Sequence, residues 1–570
     1  MFKVIITYFY KINTIKMKNA LLTFFTLLTL TTFGQASVDL TADSNSKTTN
    51  PKLIVGIVVD QMRYDYLTRF YSRFGEGGFK RLMSEGFNCQ NNQFNYIPTY
   101  TAPGHASIFT GTTPATHGII GNNWYDKESN EDVYCVNDSI YKTVGASDKS
   151  GQMSPHRLSV NTVTDQLRLH TQFRSKTIGI AIKDRGAILP AGHTANAAFW
   201  FDGDEEGKWI TSTFYMEKLP DWVVKFNQSG NTESYMKPWN TLYDIKTYTE
   251  SGSDDNTYEG LFKGETKPVF PHDLPKLRKN NRNFEILKST AFGNSITTDF
   301  AIAAIKGEQL GKGNETDFLT LSFSSTDYVG HMFGVNSVEV EDTYLRLDLD
   351  IAKILSSLDA EVGKGNYTVF LTADHGAVDV PAYLKDHKIP AGYFDSSAFK
   401  KYLNEFSVQK FDGNQLIKDV SNKQVFLDEK LIDEKGYDLD DAEEGFAQAI
   451  LNFPKIAEVY TATAMRNTDF SKGAASLLQN GYNQKRSGNI LYTLKSGVIS
   501  YTKTGSTHGS GYDYDTHVPL LFYGWGIRQG STVQKTEITN IAPTIAALLG
   551  LEMPDGTTGV PLEFVLDRIN

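Results

Sequence analysis

LIVGIVVD, at residues 53–60, is an uninterrupted apolar run that ends in an aspartate. Runs of this kind are typical of strands buried on both faces of a parallel sheet. A helical pattern follows from Tyr64 to Phe70. Because open α/β sheets bind ligands at the carboxyl ends of their strands, the order strand, acid, helix predicts that Asp60 lies at a ligand site. A simple turn acid is the alternative for Asp60 taken alone.

The same arrangement recurs along the chain. Further strands are predicted at Thr177–Ile182, Phe318–Phe323, Tyr367–Thr372 and Val518–Tyr523. Helical patterns alternate with them at 162–169, 295–306, 338–358 and 538–549. The fold class predicted from this alternation is α/β, with a central, mostly parallel sheet flanked by helices and carrying two cap insertions.

The insertions are located by where the alternation of strands and helices stops. Core segments are predicted at 51–196, 295–380 and 502–570, a cap insertion at 197–294 and a second insertion at 381–501. A hairpin with its turn at Lys495–Gly497 is expected in the second insertion. The stretch Cys89–Thr99, rich in Asn and Tyr, is expected to be a loop.

The amino terminus has the pattern of a secretory signal. Met17-Lys18-Asn19 precedes an apolar run from Ala20 to Phe33 and a small-residue cleavage pattern at 34–36. We therefore expect a signal peptide at 1–36, with Met17 the more natural start, and a flexible leader at 37–50. No later stretch is apolar enough to span a bilayer. The mature protein is expected to be periplasmic or secreted, and a monomer by default.

The totals exclude some function classes. The chain has 570 residues, more than a domain with one simple core contains. Its formal net charge of -10 argues against a general nucleic-acid binder. A small anionic substrate remains compatible, because metal ions can reverse the field locally. The only cysteines are Cys89 and Cys135. A disulfide and two buried thiols are equally open for them, and neither carries chemistry.

TAPGHAS, at residues 101–107, has the pattern of a helix start, a hydroxyl residue followed two positions later by proline. The positive end of a helix favours a developing alkoxide and an anionic ligand. Thr101 is thus either an ordinary N-cap or a nucleophile. The acids and histidines at the ends of other predicted strands favour the role of nucleophile, because a helix-start hydroxyl is the part that they lack.

Acids and histidines follow several predicted strands. Asp327 and His331 are four residues apart after one strand, and Asp374-His375 follows the next. His508 lies in a glycine-rich segment near the last strand. Together with Asp60, these three carboxylates and three imidazoles suit two metal ions of the zinc type. His105, His117 and His517 are expected to pack, to cap or, for His517, to support the site from outside.

Two cations end the strand at 177–182. If this segment is extended, Lys183 and Arg185 point to the same side and form a clamp for phosphate oxygens, with a solvated turn as the alternative. Asn122, in a glycine-punctuated loop, is either an amide donor to an oxyanion or a turn residue.

The joint pattern resembles the alkaline phosphatase superfamily, within it the phosphate-irrepressible bacterial alkaline phosphatases. The resemblance rests on Asp60, Thr101, Asp327-x-x-x-His331, Asp374-His375-Gly376, Thr507-His508-Gly509 and the closing segment 541–550. It covers nearly all of the mature chain.

This resemblance implies two Zn²⁺ ions, one held by Asp327, His331 and His508. The other would be held by Asp60, Asp374 and His375 and would also bind the Thr101 oxygen. It further implies that Thr101 forms a covalent phosphothreonine and that Asn122, Lys183 and Arg185 contact the phosphoryl oxygens. The sequence departs from the best-known members, which have a serine nucleophile and an added magnesium site.

Charge favours a monoester substrate. Two zinc ions, three carboxylates and a Thr101 alkoxide sum to about zero, so the charges of Lys183 and Arg185 match a phosphate monoester dianion. The expected enzyme is an exported phosphomonoesterase acting on small phosphate monoesters. The alternatives are a phosphodiesterase or nucleotide pyrophosphatase with the same zinc core, and a phosphate-binding protein without turnover. A sulfatase lacks support, because position 101 is not in a Cys-x-Pro-Ser-Arg context.

Overall fold

The apolar run at residues 53–59 forms strand β1, in the middle of a large mixed sheet. The structure, a computed structural model, describes residues 50–204 and 206–567. The predicted signal peptide and all but the last residue of the predicted leader lie outside this range. Every residue of β1 is buried, as expected for a strand covered on both faces.

The described chain contains strands both in the central sheet and outside it. In chain order the strands are β1 (Leu53–Val59), β2 (Phe87–Gln93), β3 (Asn123–Asp126), β4 (Glu131–Tyr134), β5 (Thr143–Val144), β6 (Thr177–Ala181), β7 (Ala197–Asp202), β8 (Lys208–Ser212), β9 (Asp317–Phe323), β10 (Tyr367–Thr372), β11 (Gly392–Tyr393), β12 (Ile417–Ser421), β13 (Gln424–Leu427), β14 (Ile456–Thr461), β15 (Ile490–Leu494), β16 (Val498–Ile499), β17 (His517–Val518), β18 (Leu520–Gly524) and β19 (Gly530–Glu537).

The α-helices belong to the core and to both predicted insertions. They are Asp65–Arg69, Phe79–Glu85, Thr101–Thr110, Pro114–His117, Val163–His170, Asp184–Ala191, Asp221–Gln228, Asn231–Ser234, Leu274–Leu277, Ala291–Gly307, Ser325–Phe333, Val338–Leu358, Pro381–Asp386, Ser396–Lys410, Glu429–Glu434, Leu439–Leu451, Ala462–Asn467, Gly473–Gly481, Asp513–Thr516 and Ile541–Leu549.

The central sheet has the strand order β17-β2-β18-β10-β1-β9-β6-β7-β8-β5, with β19 also paired to β2. Its inner strands β10, β1, β9, β6 and β7 are parallel, and the strands beyond them are mainly antiparallel. The predicted α/β fold with a mostly parallel centre is confirmed. Parallel order places the ends of β1, β9, β10 and β6 at one edge of the sheet, where the predicted site residues follow.

Two local predictions are wrong. Residues 87–93, predicted in part as a loop, form β2, because the backbone of this polar segment pairs with β18 and β19. The turn at 495–497 exists, but it does not join a hairpin. β16 pairs with β11, whereas β15 pairs with β13 and β14.

The domain division stays a prediction. Residues 417–494 contribute β12–β15, a four-stranded sheet separate from the central one. In contrast, β7 and β8 belong to the central sheet although they lie within 197–294, so the core sheet extends into that predicted insertion.

Cys89 and Cys135 are both buried and unpaired, so the open choice between a disulfide and two thiols is decided for thiols. Among the helices of residues 50–204 and 206–567, none has both the length and the apolar composition needed to cross a membrane.

Candidate active site

The sheet edge brings Asp60 and Asp374 together. Val58 lies opposite Thr372 in β10 and opposite Ser322 in β9, so the residues that follow these strands emerge side by side. The backbone N–H of Asp60 donates to the carbonyl of Phe323 at 3.1 Å, which fixes the end of β1 against the end of β9.

Asp60, Asp374 and His375 form a first group of buried ligand atoms. All three side chains are fully buried, and one donor atom from each lies within 4.8 Å of the others. Asp60 Oδ1, Asp374 Oδ2 and His375 Nε2 have no hydrogen-bond partner among the described residues. Buried polar atoms are normally paired, so three such atoms facing one point fit a bound cation.

Asp327, His331 and His508 form a second group within the same limit of 4.8 Å. Asp327 and His331 lie one turn apart on the helix Ser325–Phe333, with His331 Nε2 at 3.1 Å from Asp327 Oδ1. His508 Nε2 lies 3.7 Å from the same oxygen. The ring of His508 also stacks on that of His375 with centroids 3.4 Å apart, so the two groups adjoin.

The three histidines of the two groups are each held by a hydrogen bond from Nδ1. The Nδ1 atom of each is bonded to a backbone carbonyl: His331 to Ser506 at 2.7 Å, His508 to Thr99 at 2.7 Å and His375 to Gly376 at 3.0 Å. This arrangement puts the proton on Nδ1 and leaves the Nε2 lone pair facing the ligand group. Burial also lowers the pKa of His375 and of His508, which keeps both rings neutral.

The carboxylates interact strongly with one another. Burial raises the pKa of Asp60 well above its usual value, and the charge of Asp374 raises it further. Burial opposes ionisation of Asp327 too, but His331 and Lys183 outweigh it and lower the pKa of that carboxyl. A set of acids crowded in a buried space is stabilised by positive charge, and divalent cations suit both groups.

Lys183 lies between the two groups. Its Nζ donates to Asp60 Oδ2 and to Asp327 Oδ2, each at 2.6 Å, and lies 3.4 Å from the Thr101 hydroxyl. Burial would lower the pKa of this ammonium, but Asp327 and Asp60 reverse the effect and raise it. Lys183 therefore stays charged beside the predicted nucleophile.

Thr101 begins the helix Thr101–Thr110 and is not its N-cap. That position belongs to Tyr100, whose side chain makes no capping hydrogen bond within the described part of the chain. The Thr101 hydroxyl, although buried, is thus not engaged in capping and faces Lys183. Gly104 permits this placement, because a Cβ there would lie 2.4 Å from the carbonyl oxygen of Asp374.

Asn122 contacts this helix start, whereas Arg185 contacts Tyr134. The side-chain oxygen of Asn122 accepts a hydrogen bond from the N–H of Ala102 at 2.8 Å, so its amide N–H₂ points the other way. The extended-strand argument for Arg185 is wrong, because Asp184–Ala191 is a helix and Arg185 lies in its first turn. Its Nη1 donates to the Tyr134 hydroxyl at 3.0 Å, and its buried Nε has no partner within the described residues.

Of the three histidines expected to pack, His105 contacts a candidate ligand. Its Nδ1 lies 2.9 Å from the Thr101 carbonyl and 3.3 Å from Asp374 Oδ2. His117 bonds Ser107 at 2.9 Å, as expected for a packing residue. His517 stacks on Tyr64 and bonds the carbonyl of Gln90 at 2.9 Å, contacts that hold β17 to its neighbours.

Gln61 was not predicted, and it contacts both groups. Its backbone N–H donates to Asp374 Oδ1 at 3.1 Å, and its side-chain amide donates to Asp327 Oδ1 at 2.6 Å. Its φ is 63°, which is uncommon for a residue other than glycine. On the facing helix, a Cβ at Gly330 would lie 1.9 Å from the Gln61 amide oxygen. A single sequence offers no signal for such a backbone conformation.

Replacing Gln61 by alanine is expected to weaken metal binding or activity by about 10- to 100-fold, the usual effect of losing a group that orients a ligand. The Asp374 contact survives, because it comes from the backbone. Activity titrated against free zinc measures the effect. Gln61→Gly, which also relieves the positive φ, is the matched variant. Equal zinc affinity in both variants and in the unchanged protein would contradict an orienting role.

Known proteins resemble the chain along most of its length. A family model described as type I phosphodiesterase / nucleotide pyrophosphatase matches residues 54–517. The chain is 49% identical to a Myroides odoratus protein named calcium-transporting ATPase, over 92% of this chain and 96% of that protein. It is 46% identical to alkaline phosphatase PafA of Elizabethkingia meningoseptica, over 93% and 97% of the two chains. The crystal structure of wild-type PafA matches with a TM-score of 0.88 and 46% identity, covering 91% of this chain and 99% of that one.

Proposed function

Because the chain belongs to the type I phosphodiesterase / nucleotide pyrophosphatase family, within the alkaline phosphatase superfamily, we propose that it is an alkaline phosphatase that hydrolyses small phosphate monoesters. The observation that carries this proposal is the Thr101 hydroxyl at a helix start, contacted by Lys183 and lying beside two groups of candidate metal-binding atoms. Two adjoining metal-binding groups suit an in-line phosphoryl displacement.

The metals proposed are two Zn²⁺ ions. Each group offers nitrogen and carboxylate oxygen donors, the mixed set that zinc accepts, and two imidazoles in the second group argue against calcium or magnesium there. When bound, these ions supply Lewis-acid charge that favours the Thr101 alkoxide and the departing oxygen.

The chain's own residues position the reaction. The Thr101 oxygen attacks phosphorus and the bond to the alcohol oxygen breaks, which gives a phosphothreonine and releases the alcohol. A water molecule then attacks the same phosphorus, inorganic phosphate leaves and Thr101 regains its proton. Lys183, Arg185 and the amide of Asn122 hold the phosphoryl oxygens during both steps, and catalysis is positioning plus charge stabilisation.

The monoester preference is tested by removing the two cations. In Lys183→Ala/Arg185→Ala, kcat/KM for p-nitrophenyl phosphate is expected to fall by about 10³-fold, because two charged hydrogen bonds to a dianion are lost. For bis-p-nitrophenyl phosphate, which carries one charge, the expected fall is about tenfold or less. Stopped-flow or steady-state assays on zinc-loaded protein measure both.

Arg185→Ala alone is the second variant, since Lys183 also contacts two candidate ligands. Lys176→Ala, a partly exposed lysine at the other end of β6, is the control. Equal losses for both esters would favour the phosphodiesterase alternative that the family description also names. ATP belongs in the substrate set, because the Myroides relative is named an ATPase.

Location and assembly complete the proposal. We propose that the protein is exported to the periplasm or beyond and acts there as a monomer that releases phosphate from organic esters. The support for export is the pattern of residues 17–36.

A further inference from the structure

A cavity of about 400 Å³ lies beside the candidate active site. Its lining includes Tyr100, which precedes the predicted nucleophile, and His508, a member of the second ligand group. It also includes a wall from the region 381–501, with Phe394, Tyr492 and Lys423. The volume suits an organic group of sugar or aromatic-ring size.

The turn between β12 and β13 holds this wall in place. Asn422 and Lys423 form its two central residues, with φ values of 51° and 59° that give the tight turn of a two-residue hairpin. The Asn422 amide donates to the carbonyl of Asn123 at 2.6 Å, next to Asn122. The Lys423 ammonium donates to the carbonyl of Gly509, next to His508. Two hydrogen bonds therefore hold the turn against segments that carry candidate site residues, one beside Asn122 and one beside His508.

Lys423 is a cation without an acidic partner. Among residues 50–204 and 206–567, no carboxylate oxygen lies within ion-pair distance of its Nζ, and its one hydrogen bond leaves two N–H groups unused. Asp515 also lines the cavity, where its Oδ2 accepts bonds from the N–H and the hydroxyl of Ser510. Its Oδ1 has no partner within the described residues, so its charge acts on Lys423 from beyond ion-pair distance. Lys400, half exposed at the same cavity, pairs with Asp419 at 3.9 Å, so it adds little net charge there.

We propose that this cavity binds the organic part of the phosphate monoester and that Lys423 selects substrates whose organic part carries a second anionic group. The proposal rests on the proposed phosphatase function. The second group is a carboxylate or another phosphate, since both accept charged hydrogen bonds from an ammonium. It must lie at a distance from the scissile phosphate, because Lys423 Nζ lies 5.9 Å from the ring of Tyr100, the residue before the predicted nucleophile, and makes no contact with Thr101 within the described residues.

The test is a ratio of kcat/KM values within each variant, which cancels differences in folding and metal content. One pair is 4-carboxyphenyl phosphate against 4-carbamoylphenyl phosphate, and the other is fructose 1,6-bisphosphate against fructose 6-phosphate. In the unchanged protein we expect each charged substrate to be favoured. In Lys423→Gln the ratio is expected to fall by about tenfold, the effect of one charged hydrogen bond, mainly through KM.

Lys423→Arg should keep most of the preference, and Lys423→Met, which retains the aliphatic stem, should lose it as the Gln variant does. Lys418→Gln removes the same charge from the same hairpin, where Lys418 pairs with Asp428 at 2.8 Å, and should leave the ratio unchanged. If the ratio of kcat/KM values falls for just one of the two substrate pairs, the proposal is supported and that pair identifies the anion. If the ratios stay unchanged for both pairs, the role of Lys423 is overturned and the proposed function stands. If none of the four esters is hydrolysed, the proposed function is overturned and this inference with it.

Discussion

Thr101→Ala is expected to lower kcat/KM for p-nitrophenyl phosphate by about 10⁴-fold or more, because removal of an attacking nucleophile has effects of that order or larger. This substitution is expected to leave the fold intact. Thr101 is buried, yet its hydroxyl makes no capping bond, and alanine is a good helix former. Steady-state rates together with a zinc count and a melting curve measure the effect.

Thr101→Ser is the matched control. It keeps the oxygen and loses one methyl group, so activity is expected within about tenfold of the unchanged protein, as for the loss of a small packing contact. Acid quenching during turnover with labelled phosphate should also leave label on Thr101 in the unchanged chain and on the substituted serine in the control. Label on another residue, or full activity in the alanine variant, would show that Thr101 is not the nucleophile.

Removal of metal is expected to have the second large effect. After dialysis against a chelator, activity should fall by about 10³-fold or more, and added Zn²⁺ should restore it, because two-metal sites supply most of the charge that such a transition state needs. Melting temperature should fall as well, by on the order of 10 °C, since ligands that bind only the folded state stabilise it. The buried acids explain the direction of this change, because without metal the single ammonium of Lys183 is shared between Asp60 and Asp327.

Asp327→Asn is the control for this experiment. It removes a charged ligand of the second group, so Zn²⁺ should restore little activity. Parallel additions of Mg²⁺, Ca²⁺ and Mn²⁺ identify the metal. Undiminished activity in protein shown to hold less than about 0.1 metal ion per chain would be incompatible with a metal-dependent mechanism.

The strands and the candidate ligands follow from simple sequence rules. The run at 53–59 and the segment Tyr367–Thr372 are apolar throughout or nearly so, so both composition and length indicate buried parallel strands, and parallel order then places Asp60 and Asp374 at one edge. The helix Val338–Leu358 has the predicted bounds, because its pattern is long and Ser337 caps its start.

The rest depended on contacts that no local pattern encodes. Arg185 lies in a helix rather than on an extended strand, and the helix begins one residue after Lys183. β2 is polar and pairs through its backbone, so it lacks a hydrophobic signal. The position of Gln61 depends on the space that Gly330 leaves on another helix, far along the chain. Long-range fit of this kind is visible only in three dimensions.

The order of the ligands along the chain has a consequence for biosynthesis. Asp60, Asp374 and His375 all precede residue 376, whereas the second group also needs His508, which the ribosome adds much later. A growing chain that has passed residue 376 thus contains every ligand of one group and just two of the other. If activity requires both groups, as proposed above, it is expected only after the segment around His508 joins the fold, so that unfinished chains would leave cellular phosphate esters intact.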